Sequence, residues 1–507
     1  MDTRSFLRQL NAIICRATDF KKAGRKVVVV QGLGFVGCAV SAAIAGARGT
    51  DQRPLYFVIG VDLRTEEGIA KINAINAGLS PVDSPDLKLS ELIKRGAREN
   101  NNLCCTFYDE AYALADILVV NIPLDVKDRT QTEAAKIEVD TGSFRAAVAR
   151  IGHLVNPEAL IVVETTVPIG ASRHLILPVL REEFAKRGFY KEPQLAYSYE
   201  RVMPGPHYVD SITRFWRSFS ANSAEAALKA REFLSTFIET KEFPLCELES
   251  LEGCELGKLL ENSYRSANIA LIYEWTLLAE RIGVDLFSVI DSIRVRRGTH
   301  CNMRFPGFGV GGYCLTKDSL LAQWSLTNLF DADITLGMTL EAIGVNYRMP
   351  MHTLELAQEI IGGSLEGVRV LICGLSYLPG VPDTRNSPGE LLYDELVKAG
   401  AQVTLHDPIA RAWPQRPHAK LLGNLTDCLG AAQLIIFTTA HGQYLDLDVQ
   451  KLAGSRPSPP FIVDAQNVIC NSRAEQLHGL GCALIGVGKG HWRARGYHKR
   501  VQTWPGS

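Results

Sequence analysis

A glycine-rich turn near the start of the chain constrains the fold more than any other feature. Residues 26–30 form a β-branched run that leads directly into GLGFVG, and the following CAVSAAIAG is a run of small residues typical of a helix. Asp62 ends the next apolar run, 25 residues after Gly37. In such a strand–turn–helix unit the glycines give a tight turn, access to a pyrophosphate and close helix packing, while the acid binds a ribose. The pattern predicts a dinucleotide site at Gly32, Gly34, Gly37 and Asp62; the alternative is a glycine turn that binds nothing.

Length and composition exclude several classes of function. The chain has 507 residues, which at roughly 150 per domain predicts about three domains. Lys and Arg total 54 against 55 Asp and Glu, so no net field attracts nucleic acid or an anionic membrane. The sequence contains no apolar run of the roughly 18 residues that a membrane span needs, and its first residues do not resemble a signal peptide. The twelve cysteines lack zinc-ligand spacing, so we expect no metal site and a reducing, cytoplasmic location.

The strand pattern occurs twice. Apolar runs at residues 56–61, 117–120 and 160–163 alternate with helical stretches, as in a parallel sheet with crossover helices. From residue 368 the pattern returns as VRVLICGLSY, QVTLHDP, QLIIFTTA and PFIVDAQN, but without GxGxxG. We therefore expect the second copy to bind a nucleotide portion without a dinucleotide pyrophosphate. The predicted fold is α/β, with two Rossmann-like doubly wound domains joined by a central long-helix region: an extension (1–25), a dinucleotide domain (26–215), a central domain (216–350) and a C-terminal domain (351–507).

One long central helix is predicted at about residues 247–283, with Gly283 as its C-cap. Its apolar surface around residues 267–279 is wider than one stripe. We expect both flanking domains or a second subunit to cover it, and therefore a homodimer or a dimer-based oligomer.

Three groups of polar residues are candidates for chemistry. Cys314 follows a glycine run and is predicted to open a helix, whose N-terminus favours a thiolate, with Asp318 on the same face four residues later; the alternative is a small core residue. Lys258 and Asn262 are also four residues apart, on the central helix, where a solvated face is the preferred interpretation. Glu200 with Arg201 is interpreted, from the residues alone, as an exposed ion pair.

Seven motifs in order resemble the UDP-glucose/GDP-mannose dehydrogenase family across about residues 26–490. They are GLGFVG, GVDLRTEEGIAKINAINAG, ETTVPIG, YERVMPG, ELGKLLENSYRSANIA, GVGGYCLTKD and GLSYLPGVPDTRNSP. The resemblance implies an enzyme that uses NAD to oxidise C6 of a nucleotide sugar twice, from alcohol to carboxylate. A dehydrogenase that oxidises a hydroxy acid once has no use for Cys314, and a non-catalytic sugar-nucleotide sensor has no use for a nucleophile; both remain alternatives.

The resemblance also implies roles for individual residues. Cys314 attacks the C6 aldehyde and forms a thioester, Lys258 and Asn262 stabilise oxyanion charge, Glu200 assists hydrolysis, and Thr166 and Asp318 position water. Cofactor contacts are expected at Gly32, Gly34, Phe35, Val36, Gly37, Asp62, Arg64, Pro123, Thr166 and Lys317. Substrate contacts are expected at Glu200, Arg201, Val202, Lys258, Asn262, Arg304, Phe308, Gly311, Tyr377 and Arg385.

The loop at residues 198–205 bears on which sugar is bound. Its sequence SYERVMPG is similar to the SPER-x-x-PG form of family members that oxidise UDP-N-acetylhexosamines. Arg201 offers a fork of donors for an acetamido or diphosphate oxygen, and Pro204 forms a rigid turn. Tyr199 departs from the family pattern by replacing a proline, and Leu378 departs by replacing a lysine. A UDP-N-acetylhexosamine is predicted over UDP-glucose or GDP-mannose.

Overall fold

The computed structural model describes residues 3–203, 205–454 and 458–500, with side chains from residue 9 onward. Pro204 lies outside the described residues. The described residues form two compact units. The first unit comprises residues within Met1–Asp128, Ile137–Leu260 and Leu320–Thr335, and the second unit comprises residues within Arg129–Lys136, Glu261–Ser319 and Leu336–Ser507.

The first unit is built on a largely parallel sheet. Among the described residues its strand order is β3-β2-β1-β4-β5-β6-β7-β8, and the β6–β7 pair is antiparallel. The order reverses between β1 and β4, the switch point at which ligands bind in doubly wound folds. The strands are β1 (Lys26–Gln31), β2 (Tyr56–Val61), β3 (Leu103–Thr106), β4 (Ile117–Val120), β5 (Leu160–Val163), β6 (Gln194–Tyr197), β7 (Ser218–Ala221) and β8 (Cys246–Glu247).

Helices of the first unit cover both faces of this sheet, whose central strands are buried. They are α1 (Thr3–Lys22), α2 (Phe35–Gly46), α3 (Glu66–Asn76), α4 (Leu87–Lys94), α5 (Thr141–Leu154), α6 (Leu177–Lys186), α7 (Asp210–Thr213) and α8 (Ala224–Leu234). The opening segment forms helix α1. It packs on the sheet through buried Leu10, Ile13 and Ala17, and the Phe20 and Phe57 ring centroids are 5.4 Å apart.

The central helix is α9 (Leu251–Arg281). Gly283 follows it with φ +76°, a left-handed conformation that favours glycine, so the predicted stop is confirmed. Tyr264, Leu271, Trp275 and Leu278 remain about half exposed on it. The described part of the chain therefore does not cover this apolar surface.

The second unit contains a parallel sheet with strand order β10-β9-β11-β12-β13 among the described residues. Its strands are β9 (Arg369–Cys373), β10 (Gln402–His406), β11 (Leu434–Phe437), β12 (Phe461–Asp464) and β13 (Ala483–Gly486). Its helices are α10 (Leu286–Arg294), α12 (Gly337–Ile361), α13 (Gly389–Lys398), α14 (Leu425–Ala431), α15 (Gly442–Leu445), α16 (Val449–Ala453), α17 (Asn471–Gly479) and α18 (Gly490–Ala494). Helix α11 (Asp318–Asn328) has most of its residues in the first unit. Two Rossmann-like sheets and a long central helix confirm the predicted fold class.

Candidate active site

The glycine turn after β1 has the geometry that a dinucleotide requires. Gly32 has φ +84°, and a Cβ there would lie 2.8 Å from the Asn121 carbonyl oxygen. A Cβ on Gly37 would lie 1.8 Å from the Gly32 carbonyl oxygen, so α2 packs directly on the turn. A Cβ on Gly34, by contrast, would have no atom within 4 Å. The turn is closed towards the protein and open at Gly34, where a pyrophosphate approaches the backbone.

The other predicted cofactor residues follow the carboxyl ends of neighbouring strands. Asp62 directly follows β2, and its Oδ2 accepts the Leu33 N–H at 3.1 Å, which joins the acid to the glycine turn. Arg64 is exposed, with its guanidinium 5.1 Å from the Phe107 ring centroid. Pro123 follows β4 and is exposed, and Thr166 follows β5 and is half-buried. Phe35 and Val36, both partly buried, begin α2. These residues fit a dinucleotide, and the turn, Asp62 and the β4 and β5 ends would hold it.

Glu200 and Lys258 form the polar centre of a second cluster in the first unit. Both side chains are buried; the Lys258 Nζ donates to the Glu200 carbonyl oxygen at 2.8 Å and lies 3.8 Å from its Oε1. The Val202 N–H donates to the Glu200 carboxylate. The expectations of an exposed Glu200–Arg201 ion pair and of a solvated face at Lys258 are therefore wrong, because the loop after β6 folds over both side chains.

Arg201 belongs to the same loop but its guanidinium is already engaged. It donates to the Trp216 carbonyl oxygen at 2.6 Å and to the Tyr199 hydroxyl at 2.9 Å. Part of its donor fork is thus bound within the chain, and a substrate contact from Arg201 remains a prediction.

Two buried carboxylates of the first unit were not identified from the sequence. Glu164, the first residue of ETTVPIG, is fully buried and pairs with Arg217, while burial raises the pKa of its carboxyl. Glu255 accepts the N–H groups of Gly170 and Ser172 at 2.6 and 2.8 Å, and burial raises its pKa to about 7. Glu255 thereby fixes the end of the loop that carries Thr166. The sequence signal that could have identified Glu255 is an acidic residue three positions before Lys258 on an apolar helix.

In the second unit, Cys314 lies in a turn and not in a helix. Helix α11 begins at Asp318, and the Cys314 carbonyl oxygen accepts the Lys317 and Asp318 N–H groups at 3.1 and 3.0 Å. The prediction that the cysteine opens the helix and shares a helix face with Asp318 is wrong, because one hydrogen-bonded turn separates them. The half-buried Cys314 is not part of the close-packed core.

Asp318 joins two of the predicted residues. Its Oδ2 accepts the Asn262 Nδ2 at 2.6 Å, and its Oδ1 accepts the Lys317 Nζ at 2.9 Å. All three side chains are buried, and that of Lys317 is fully so. The pair of bonds fixes the Asn262 carboxamide relative to the turn that carries Cys314. Lys317 therefore faces Asp318, and a cofactor contact from it remains a prediction.

The glycines before Cys314 are packed against Tyr377. A Cβ on Gly311 would lie 2.5 Å from the Tyr377 Cβ, and one on Gly312, where φ is +84°, would lie 2.8 Å from the Tyr377 ring. Burial raises the pKa of Tyr377 to about 12. The glycines are thus needed for close approach of the C-terminal loop to the cysteine turn.

The remaining predicted substrate residues differ in accessibility. Arg385 is about half exposed and makes a bidentate contact with Asp383, at 2.9 and 2.7 Å. Arg304 is exposed, and partial burial together with the nearby charges of Arg265 and Arg294 lowers its pKa. Phe308 is buried, with its N–H on the Gln466 side chain at 2.9 Å.

In the part of the chain that the structure describes, no group of three or more His, Cys, Asp or Glu could hold a metal. Across the same residues, no helix has the length and apolar character needed to cross a bilayer.

The open glycine turn and Asp62 define the chain as a dinucleotide-binding α/β protein with a second Rossmann-like unit. Three family models match it: the NAD binding domain at residues 26–214, the central domain at 252–347 and the UDP binding domain at 371–471 of the UDP-glucose/GDP-mannose dehydrogenase family. The chain belongs to this family, whose members are NAD-dependent nucleotide-sugar dehydrogenases.

Relatives are similar to the chain over nearly its whole length. The UDP-N-acetyl-D-mannosamine dehydrogenase of Pyrococcus horikoshii is 25% identical, with 91% of this chain and 99% of the relative covered. That of Methanocaldococcus jannaschii is 26% identical, with 92% and 97% covered. The crystal structure of NDP-N-acetyl-D-galactosaminuronic acid dehydrogenase from Methanosarcina mazei has a TM-score of 0.75 and 25% identity, covering 95% of this chain and 98% of that one.

Proposed function

We propose that the chain oxidises C6 of a UDP-N-acetylhexosamine to the uronic acid through a covalent thioester on Cys314. Three observations carry this proposal: a buried Lys258–Glu200 contact, a buried Asn262–Asp318 contact and a partly accessible thiol at Cys314. Lys258 contacts Glu200 in one unit, and Asn262 contacts Asp318 next to the Cys314 turn in the other. A protein that only bound a sugar nucleotide would have no need to bury these groups, which favours catalysis over the sensor alternative.

The proposed reaction has four steps. The C6 alcohol loses a proton and a hydride to become an aldehyde. The Cys314 thiol adds to the aldehyde, with the sulfur bonding to the carbon and a proton going to the oxygen, to form a thiohemiacetal. The thiohemiacetal then loses its hydroxyl proton and a second hydride to become a thioester. Water then cleaves the C–S bond, which yields the carboxylate and restores the thiol. NAD supplies the hydride acceptor for both oxidations, so two molecules are reduced per sugar.

Side chains of this protein act at the points where charge develops. Lys258 in the first unit and Asn262 in the second are the proposed donors of hydrogen bonds to the oxyanion charge that develops at C6. Lys258 also accepts the alcohol proton when neutral. Glu200 assists the attack of water on the thioester, while Asp318 and Thr166 orient that water. Asp318 fixes Asn262 by its 2.6 Å hydrogen bond.

The 2-acetamido sugar is supported by the loop sequence SYERVMPG and by the relatives. Both curated relatives described above are named for UDP-N-acetyl-D-mannosamine, and the M. mazei protein is named for an N-acetylgalactosaminuronic acid. UDP-glucose or GDP-mannose is the alternative substrate. The proposed substrate contacts are Arg304, Phe308, Gly311, Tyr377 and Arg385 in the second unit, and Arg201 and Val202 in the first.

A homodimer through α9 is part of the proposal. Tyr264, Leu271, Trp275 and Leu278 are spaced by seven, four and three residues, so they share one helix face. Each is about half exposed, and such an apolar stripe is costly in water. A two-fold axis would pair the stripe with itself. We expect sedimentation to give a dimer and Leu271→Glu to give monomers; a monomeric wild type at micromolar concentration would refute the pairing.

A cytoplasmic location remains a prediction, tested by cell fractionation.

Absorbance of NADH with a panel of sugar nucleotides tests the reaction. We expect two NADH per sugar and a higher kcat/KM for UDP-N-acetylhexosamines than for UDP-glucose or GDP-mannose. One NADH per sugar would exclude the second oxidation, and no NADH with any sugar would favour the sensor. Higher kcat/KM for UDP-glucose would correct the substrate alone.

A further inference from the structure

Tyr199, which replaces the usual proline of the loop, lies between two cations. The Lys258 Nζ is 5.6 Å from its ring centroid and the Arg201 guanidinium carbon is 4.8 Å from it. The Arg201 guanidinium also donates to the Tyr199 hydroxyl at 2.9 Å. One side chain therefore contacts both Arg201 of the loop and Lys258 of α9.

The Tyr199 ring is held in place by burial. The residue is 3% exposed, and a Cβ added to Gly257 of α9 would lie 3.4 Å from the Tyr199 hydroxyl oxygen. The ring thus packs against α9 one residue before Lys258. Attraction between a cation and an aromatic face is strongest when both groups are removed from water. Lys258 is itself buried, so the ring is a substantial partner for its ammonium.

These contacts restrict where each cation points. The Lys258 Nζ has the Glu200 carbonyl oxygen at 2.8 Å and the Tyr199 ring face as neighbours, which leaves fewer directions for its other donors. Arg201 is turned towards the Trp216 carbonyl oxygen at 2.6 Å by the same ring and hydroxyl. A proline at position 199 has neither a ring face of this kind nor a hydroxyl, so this restriction comes from the substitution.

We propose that Tyr199 is a positioning residue that orients the Lys258 ammonium through its ring and the Arg201 guanidinium through its hydroxyl. The inference rests on the proposed function, in which Lys258 stabilises charge at C6. The Tyr199 ring affects kcat through Lys258, and the Tyr199 hydroxyl affects binding of the sugar nucleotide through Arg201. The two parts of one side chain therefore have separable effects.

Two substitutions separate these effects. Tyr199→Phe keeps the ring and removes the hydroxyl, so we expect kcat within twofold of wild type and a rise in KM for the sugar nucleotide of about threefold. Tyr199→Leu removes the ring as well, and we expect kcat to fall about tenfold. In an Arg201→Ala background, Tyr199→Phe should cause no further change in KM. This comparison of KM values can be made even if the Tyr199→Leu variant does not fold.

A matched control distinguishes positioning from loss of core packing. Phe184 on α6 is another buried ring of the first unit with a guanidinium nearby, that of Arg187 at 5.9 Å. Phe184→Leu should lower the unfolding temperature and leave kcat unchanged. An equal loss of kcat in both leucine variants would overturn the inference. So would a Tyr199→Phe effect on KM that persists without Arg201.

Lys258→Ala, measured in the same series, separates this inference from the proposed function. If Lys258→Ala retains full kcat, the proposed role of Lys258 is wrong. If Lys258→Ala loses activity while Tyr199→Leu keeps it, only the inference about Tyr199 is overturned.

Discussion

The turns that follow the first strands of the two sheets have similar positions in the topology but opposite surroundings. After β1, the Cβ position of Gly34 is open and Asp62 accepts the N–H groups of Leu33 and Leu63. After β9, Gly374 has φ +112°, and a Cβ there would lie 2.5 Å from the Thr439 side chain. The first turn is open to a ligand, whereas the second is filled by the protein.

The acids that follow the second strands of the two units differ in the same way. Asp407, after β10, accepts the N–H groups of Leu375, Ser376, Ile409 and Ala410 and contacts the His441 Nε2 at 3.2 Å. Its carboxylate is thereby used to fix the turn and has no free oxygen for a ribose. Strand order alone therefore does not define a dinucleotide site; the residues around the turn decide it. This agrees with a UDP binding domain, and not a second NAD domain, at residues 371–471.

Replacing Cys314 should produce the largest effect on activity, and it should leave NAD binding in the first unit unchanged. We expect Cys314→Ala to lower uronic acid formation by at least about 10³-fold, because the thioester cannot form. NAD affinity, measured by calorimetry, should not change, since the glycine turn belongs to the first unit. Uronic acid formation at near wild-type rate would return Cys314 to a structural role.

Lys258→Ala tests the chemistry assigned to the first unit. Loss of an oxyanion donor typically lowers kcat by about a hundredfold or more, and we expect that result here. Lys229→Ala is the control, because Lys229 is a partly exposed lysine of the same unit that pairs with Glu225 at 2.8 Å. Steady-state NADH formation measures both. Equal kcat in the two variants would exclude a catalytic role for Lys258.

Asp62 should decide between the two nicotinamide dinucleotides. Its carboxylate repels a 2′-phosphate, while exposed Arg64 partly offsets this repulsion. We expect kcat/KM for NAD to exceed that for NADP at least about thirtyfold, and Asp62→Asn to reduce the ratio. Comparable kcat/KM values for both cofactors in the wild type would contradict the assignment.

A pair of alanine substitutions compares the two turns directly. Gly34 has an ordinary φ of −70° and an open Cβ position, so Gly34→Ala should leave the unfolding temperature unchanged and raise the KM for NAD about tenfold. Gly374→Ala should do the reverse, because it introduces about 1–3 kcal/mol of backbone strain plus a collision with Thr439. Thermal unfolding and NAD titration of both variants test this. An unfolding temperature that falls equally in both would remove the distinction between the turns.

The sequence was sufficient for the fold and for the first turn, because glycine spacing and strand periodicity are local signals. The residues of β1, β2, β4, β5 and α9 were predicted to within a few positions. It was insufficient for burial at Lys258 and Glu200, which depends on how the loop after β6 folds over α9. The Glu164–Arg217 pair joins residues 53 positions apart, and nothing in either local segment signals the other. The start of α11 was misplaced because a hydrogen-bonded turn after glycines has the same composition as a helix start.

The smallest expected effect is the pH dependence of stability that Asp407 contributes. Burial alone would raise the pKa of Asp407, but the hydrogen bond and charge of His441, together with the Leu375 and Ala410 N–H groups, lower it from 3.8 to about 2. A carboxyl whose pKa is lower in the folded state stabilises the protein above its unfolded pKa, and this stabilisation is lost as the pH falls through the folded pKa. The wild type should therefore lose about 2 kcal/mol of unfolding free energy from this group between about pH 4 and pH 2. Asp407→Asn should lower the unfolding free energy at pH 7 by a similar amount, and its unfolding free energy should fall less steeply between about pH 4 and pH 2 than that of the wild type. Asp291, an exposed carboxylate of the same unit, provides the control: Asp291→Asn should cause neither change. Urea unfolding at a series of pH values measures the unfolding free energies. If Asp407→Asn loses unfolding free energy as steeply as the wild type between about pH 4 and pH 2, the carboxylate does not hold the second turn closed.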